Sequence, residues 1–223
     1  MLTFLYKLLE HPLCYRLSQL VFAPGADSLL TKQLRKTAQT LGLSGPVLDV
    51  GCGPASWLWK VSGHPVGLDL SFSYSLAFKE SGEIALTGSA TALPFANNSF
   101  VGVWSIGLLH HLPEKAARQA MQEMLRVCQK GGYVAVFDAV LPVAPWQRPV
   151  AYLVRKLDRG RFMRKQAELV SLLPERTDWE INRFTYTLNG LEMLCCLCRK
   201  PMVDGVQGKI CEQKNDASFS LEV

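Results

Sequence analysis

Three carboxylates and a histidine pair are the residues of this chain best placed to do chemistry. Asp49 stands two residues ahead of the turn Gly51-Cys52-Gly53, at the end of the apolar run 46–50, and Asp69 ends the run "VGLDL" twenty residues later. Glycines at a strand end let the backbone approach a ligand closely, because no Cβ obstructs it. A carboxylate at the end of the next strand can accept hydrogen bonds from both hydroxyls of a ribose. The dinucleotide fingerprint G-x-G-x-x-G does not fit, since Pro54 follows the second glycine and Ser56 holds the sixth position. Taken singly, these residues read equally as a turn and two strand ends. Their combination favours a nucleoside-bearing cofactor.

His110 and His111, in "LLHHLPE", are the candidate general bases, because an imidazole titrates near neutrality. The competing reading is a histidine hydrogen-bonded to backbone ahead of a helix that starts at Pro113. Asp138, in "YVAVFDAVLP", falls at the end of another apolar run, where it can hold an acceptor group, the loop that follows, or only its own loop.

To bring these residues together the chain needs a sheet whose strand ends share one edge. Short β-type runs at 46–50, 64–69, 83–87, 100–105 and 133–138 alternate with helical patterns, the signature of a parallel sheet covered by helices. The clearest helix starts at Pro113, carries Ala117, Met121, Met124, Leu125 and Cys128 on one stripe, and is expected to stop at the "KGG" of 130–132. Two further β-type runs, "TDWEINRFTYTL" and "LEMLCCLCRK", flank Asn189-Gly190, which predicts a type I′ hairpin. Two residues cannot make a parallel crossover, so the last strand must run antiparallel to its neighbour.

Before the sheet lie helical patterns over 3–21 and 27–41. The first carries more apolar residues than one packed helix needs, Leu2, Phe4, Leu5, Leu8 and Leu9 among them, and reads as packing, as a lid over an apolar acceptor, or as a membrane-surface helix. The expected organisation is an N-terminal helical cap over 1–42, one α/β domain over 43–203, and a disordered tail over 204–223.

The 223 residues, 48% hydrophobic and 19% charged, suit one substantial core. No run approaches the roughly 18 uncharged apolar residues of a membrane span, and the N-terminus lacks a secretory pattern, so a cytoplasmic protein is expected. The seven cysteines form no paired C-x-x-C, and "CCLC" at 195–198 reads as a buried strand rather than a metal site. The net charge of +5 suits anionic ligands without requiring nucleic acid. The basic run Arg155, Lys156, Arg159, Arg161, Arg164 and Lys165 is either a solvated helix face or a site for an anionic acceptor.

From Val47 to Pro142 the chain resembles the class I S-adenosylmethionine-dependent methyltransferases, in the small-molecule group that includes quinone-type enzymes. The resemblance rests on "VLDVGCGPAS", "VGLDL", "GSATALPFANNSF" and "VWSIGLLHHLPE". It implies a doubly wound, mostly parallel seven-stranded α/β sheet ending in an antiparallel hairpin, with S-adenosylmethionine as cofactor. Carried over, Asp49, Gly51, Cys52 and Gly53 belong to the methionine-end loop. Asp69 with Leu70 belongs to the ribose position, Ser89 and Ala90 to the adenine edge, and Ser105 and Ile106 to the strand end beside the methionine moiety. Ser89 stands where the family often has an aspartate, and Val101 follows Phe100 where many relatives have Phe-Asp. His111 is the preferred base, ahead of His110 and Asp138, because the family keeps a histidine more often at the second position.

The expected function is in-line methyl transfer to a small, apolar acceptor, neutral or anionic, with no nucleic-acid partner and with peripheral membrane contact left open. The alternatives are a non-catalytic cofactor-binding subunit and an RNA methyltransferase.

Overall fold

The structure is a computed structural model that describes residues 23–41, 45–61, 63–158, 160–175, 177–202 and 210–212. The helical pattern at 3–21, with the lid assigned to it, lies outside these residues.

Strands β1 (Val47–Val50), β2 (Val66–Asp69), β3 (Ala85–Thr87), β4 (Phe100–Ile106), β5 (Cys128–Val140), β6 (Trp179–Thr185), β7 (Glu192–Arg199) and β8 (Ile210–Glu212) form one sheet in the order β3-β2-β1-β4-β5-β7-β6-β8. The first five are parallel, and β7 runs antiparallel to both β5 and β6. The expected seven strands are therefore present in a doubly wound order. The eighth, β8, pairs with β6 inside the stretch expected to be disordered, so that expectation fails for residues 210–212.

The sheet is buried on both faces, as parallel strands covered by helices must be. Leu48, Val103, Val134 and Val136 pack against Ala117, Met121 and Met124 of α3 (Glu114–Val127). Val47, Trp104, Ala135 and Phe137 pack on the other side, against Leu30, Leu34 and Ala38 of α1 (Ala26–Leu41) and Ala151 of α4 (Pro149–Lys156). Two shorter helices, α2 (Phe72–Glu80) and α5 (Gln166–Val170), complete the cover. Neighbouring residues on β1, β4 and β5 thus feed opposite layers.

Cys195 faces one layer while Cys196 and Cys198 face the other, so the "CCLC" run is split across the sheet. Burial pushes the Cys195 thiol up to about 12, which keeps it protonated and inert at neutral pH.

Two local expectations need correction. Helix α3 ends at Val127, short of "KGG", because Cys128 already pairs with Phe100 as the first residue of β5. Gly131 and Gly132 serve instead at the irregularity in that strand: Gly131 has φ +75°, and a Cβ on Gly132 would lie 2.7 Å from the Val101 carbonyl oxygen. The β6–β7 connection is longer than a two-residue type I′ turn, since the ladder closes at Thr185 opposite Glu192. A turn from Thr187 to Gly190 is closed by Gly190 N–H donating to the Thr187 carbonyl at 3.2 Å. Gly190 alone takes positive φ, whereas a type I′ turn needs it at Asn189 too.

Candidate functional site

The carboxyl ends of the parallel strands bring the predicted residues to one edge. At the end of β1 the chain turns through Gly51 (φ +75°) and Gly53 (φ +63°), a backbone that L side chains rarely adopt. The turn is tied to β2, because the N–H groups of Gly51 and Cys52 both donate to the Leu68 carbonyl at 2.7 and 3.2 Å. A Cβ on Gly51 would lie 2.9 Å from Leu108 Cδ1, so the glycine lets the β1 and β4 loops meet. A Cβ on Gly53 would meet nothing within 4 Å, which leaves space beside the turn.

Asp69 is held rather than merely present. Gly53 N–H donates to its Oδ2 at 3.0 Å and Ser71 N–H to its Oδ1 at 2.8 Å, so the carboxylate joins the β1 turn to the start of α2. Each oxygen keeps a lone pair for a ligand hydroxyl. Leu70, next in sequence, is 76% exposed and presents an apolar face at the same edge.

Asp49 is buried. Ser56 Oγ donates to its Oδ2 at 2.5 Å, while Oδ1 has no hydrogen-bond partner. Burial pushes the carboxyl up to about 6, against the Ser56 hydrogen bond and with help from the Asp69 charge. A buried acceptor without a donor is costly, and a ligand donor at this edge would relieve it.

The remaining predicted cofactor residues divide. Ser105 is fully buried, and its Oγ also lacks a partner. Ile106 packs into the α1-side layer. The Ser89 hydroxyl lies 2.8 Å from Thr91 Oγ1 and accepts the Thr91 N–H at 3.2 Å, a local turn, and Ala90 packs against the α3-side core. The Cys52 side chain turns away from the edge into a small cluster with Phe78 and Ala85. Gly67 makes room for it, since a Cβ there would sit 2.8 Å from Cys52 Sγ. Cys52 serves the loop through its backbone and through its thiol, which donates to the Gly53 carbonyl at 3.4 Å.

Beyond β4, the turn Leu109–His111 separates the two histidines. His110 is buried, with Nδ1 2.6 Å from Asp138 Oδ1 and Nε2 4.0 Å from Asp158 Oδ1. Burial opposes its charged form, but the Asp138 carboxylate prevails and raises its pKa. Burial likewise pushes against an ionised Asp138, and its engagement by His110 and by the N–H groups of Leu109 and Ala139 leaves its pKa lowered. Gly160 lies on the His110 ring, where a Cβ would approach Cδ2 to 2.1 Å. His111 is exposed, its ring 4.2 Å from that of His110.

Sequence reasoning missed two buried arginines, one of which fixes this turn. Arg164 is buried and donates to the carbonyls of Leu109 and Leu112, both at 2.7 Å. Arg155 is also buried and donates to Tyr186 Oη and the Glu192 carbonyl, both at 3.0 Å. The basic run therefore is neither wholly a solvated face nor wholly a binding site: two of its cations hold the fold. Nothing in "RKLDRGRFMRK" distinguishes them, because which cation turns inward depends on carbonyls contributed by distant segments.

Residues 48–136 match the family described as a methyltransferase domain. Methyltransferase GfsG of Streptomyces halstedii is 36% identical over 131 residues, covering 52% of this chain and 45% of that protein. A demethylmenaquinone methyltransferase of Listeria monocytogenes is 34% identical over 148 residues, covering 59% of this chain and 61% of the relative. The chain thus spans less than two thirds of the length of either relative. Among solved structures, an S-adenosylmethionine-dependent methyltransferase of Methanosarcina mazei superimposes with a TM-score of 0.60 at 18% identity, over 75% of this chain and 98% of that one, a likeness of fold.

Proposed function

We propose that this chain, whose residues 48–136 match a methyltransferase domain, is a class I S-adenosylmethionine-dependent methyltransferase that transfers a methyl group to a small, apolar acceptor. The observation that carries the proposal is the pinned Asp69 carboxylate, set between the Gly53 turn and Leu70 and near the partnerless oxygen of Asp49.

The residues present fit the cofactor. Asp69 would accept from the ribose hydroxyls, Leu70 would cover an apolar ring face, and the Gly51–Gly53 turn would admit the amino-acid end near Asp49. Bound there, S-adenosylmethionine supplies an electrophilic methyl group on a sulfonium. The chain's own residues must then align the acceptor and, where the acceptor bears a hydroxyl or amine, remove its proton. We assign that proton to His111. His110 is bonded through Nδ1 to Asp138, has Nε2 4.0 Å from Asp158 and is covered by Gly160, so it positions the turn instead, together with Asp138 and Arg164.

The apolar acceptor follows from the apolar residues at this edge and from the likeness to a protein named for demethylmenaquinone methylation. Incubation with a panel of quinol-type and other acceptors, with S-adenosylhomocysteine as the readout, tests it. Product with none of them, despite tight cofactor binding, would favour a non-catalytic cofactor-binding subunit.

Asp69→Ala should weaken S-adenosylmethionine binding at least about tenfold, because charge-assisted hydrogen bonds contribute roughly 1.5–3 kcal/mol. Calorimetry on a folded variant is the check. Unchanged affinity would remove Asp69 from the ribose position.

A further inference from the structure

Helix α4 is amphipathic in the inverted sense. Ala151 and Arg155 point inward and are buried, whereas Val150 and Leu153 are 58% and 59% exposed. Trp146 before the helix and Leu157 after it are 78% and 61% exposed. The helical spacing 150, 153, 157 places Val150, Leu153 and the C-cap residue Leu157 along one outward stripe, and Trp146 is exposed in the turn just ahead of it. The inward arginine has its reason in the bonds to Tyr186 and Glu192, but the outward stripe has no partner within the described fold. Singly exposed apolar residues are ordinary, and a continuous row of large ones marks a contact surface.

Charge selects the partner. Residues 139–167 contain seven Lys and Arg but one acidic residue, Asp158, which lies 3.4 Å from Arg155. Lys156 in α4 and Arg161 and Lys165 in the segment that follows it are exposed. A second copy would set one basic face against another. The N-terminal stretch 1–22 carries Lys7 and Arg16 against Glu10 and is no better matched. A partner both apolar within and anionic at its surface fits both features. We infer that the α4 face docks on an anionic lipid surface, with Trp146, Val150, Leu153 and Leu157 entering the interface and the lysines and arginine meeting headgroups. No helix among the described residues is long and apolar enough to cross a membrane, so the contact is peripheral. The connection from β5 to α4 leaves the sheet at the carboxyl edge of the parallel strands, the edge that holds Gly51 and Asp69.

The test is flotation of the full chain with phosphatidylcholine vesicles, with and without phosphatidylglycerol. The chain should float with the anionic vesicles, bind phosphatidylcholine alone much less, and come off as salt rises. Leu153→Glu should weaken binding at least about tenfold, since it removes an apolar contact and adds a repelled charge. Ile84→Glu, at an exposed position on the far side of the sheet, should bind as the wild type does. Cofactor affinity and thermal midpoint verify the fold of both variants. The inference fails if the full chain floats with neither vesicle, or if folded Leu153→Glu floats unchanged. It also fails if Leu9→Glu abolishes flotation while Leu153→Glu does not, which would assign the contact to the N-terminal stretch.

Discussion

Replacing Asp138 by alanine should cost the fold about 3–5 kcal/mol, the loss expected when one partner of a buried ion pair is removed. The carboxylate is wholly buried and receives His110 Nδ1 at 2.6 Å, the Ala139 N–H at 2.7 Å and the Leu109 N–H. Alanine would leave an imidazole without its counter-charge and two backbone donors without an acceptor, each uncompensated in a site that water does not reach. Asp138→Asn, which keeps the shape and one acceptor, should cost less. Urea unfolding of the three chains is the measurement, and a loss below about 1 kcal/mol for the alanine variant would show that the network is not holding the turn.

The same pair sets a pH signature. His110 has its pKa raised in the folded chain, so its contribution is complete below the ordinary imidazole value and is lost as pH climbs through the raised one. Asp138 has its pKa lowered, so its contribution is complete above the ordinary carboxylate value and is lost as pH falls through the lowered one. The stability gap between wild type and Asp138→Ala should therefore be widest between those limits and narrow on both flanks. A gap independent of pH would point to packing alone.

The parts of the site legible in the sequence are those encoded locally. A strand, a glycine turn and a carboxylate at a fixed offset specify the β1 and β2 ends almost by themselves, because backbone conformation and hydrogen-bond geometry act over a few residues. The inward arginines were not legible. Arg164 answers to the carbonyls of Leu109 and Leu112, more than fifty residues upstream, and no local periodicity encodes such a contact. Cys52 illustrates the same limit: its place in the loop was readable, but the direction of its side chain follows from the space left at Gly67, on another strand. Asn189-Gly190 marks the hairpin, but burial and pairing of β6 and β7 set where the ladder closes, at Thr185 opposite Glu192, so the connection is longer than that dipeptide alone implies.

His111→Ala should lower turnover by about 10²- to 10⁴-fold, the contribution of a positioned general base, while cofactor affinity stays near that of the wild type. The two histidines of the turn divide the work by environment. His110 is fixed beneath Gly160 with its ring nitrogens toward Asp138 and Asp158, and moving a proton through it would dismantle the network that orders the turn. His111 stays at the exposed edge, close to Leu108, which touches the Gly51 turn. Added imidazole should restore part of the rate, a rescue that a merely structural histidine would not show. Turnover within a factor of a few of wild type, together with a lower melting temperature, would return His111 to a turn-fixing role. An acceptor whose reacting atom is already deprotonated would separate the two roles further: the variant should then transfer methyl groups at nearly the wild-type rate, because the only step His111 performs is no longer needed.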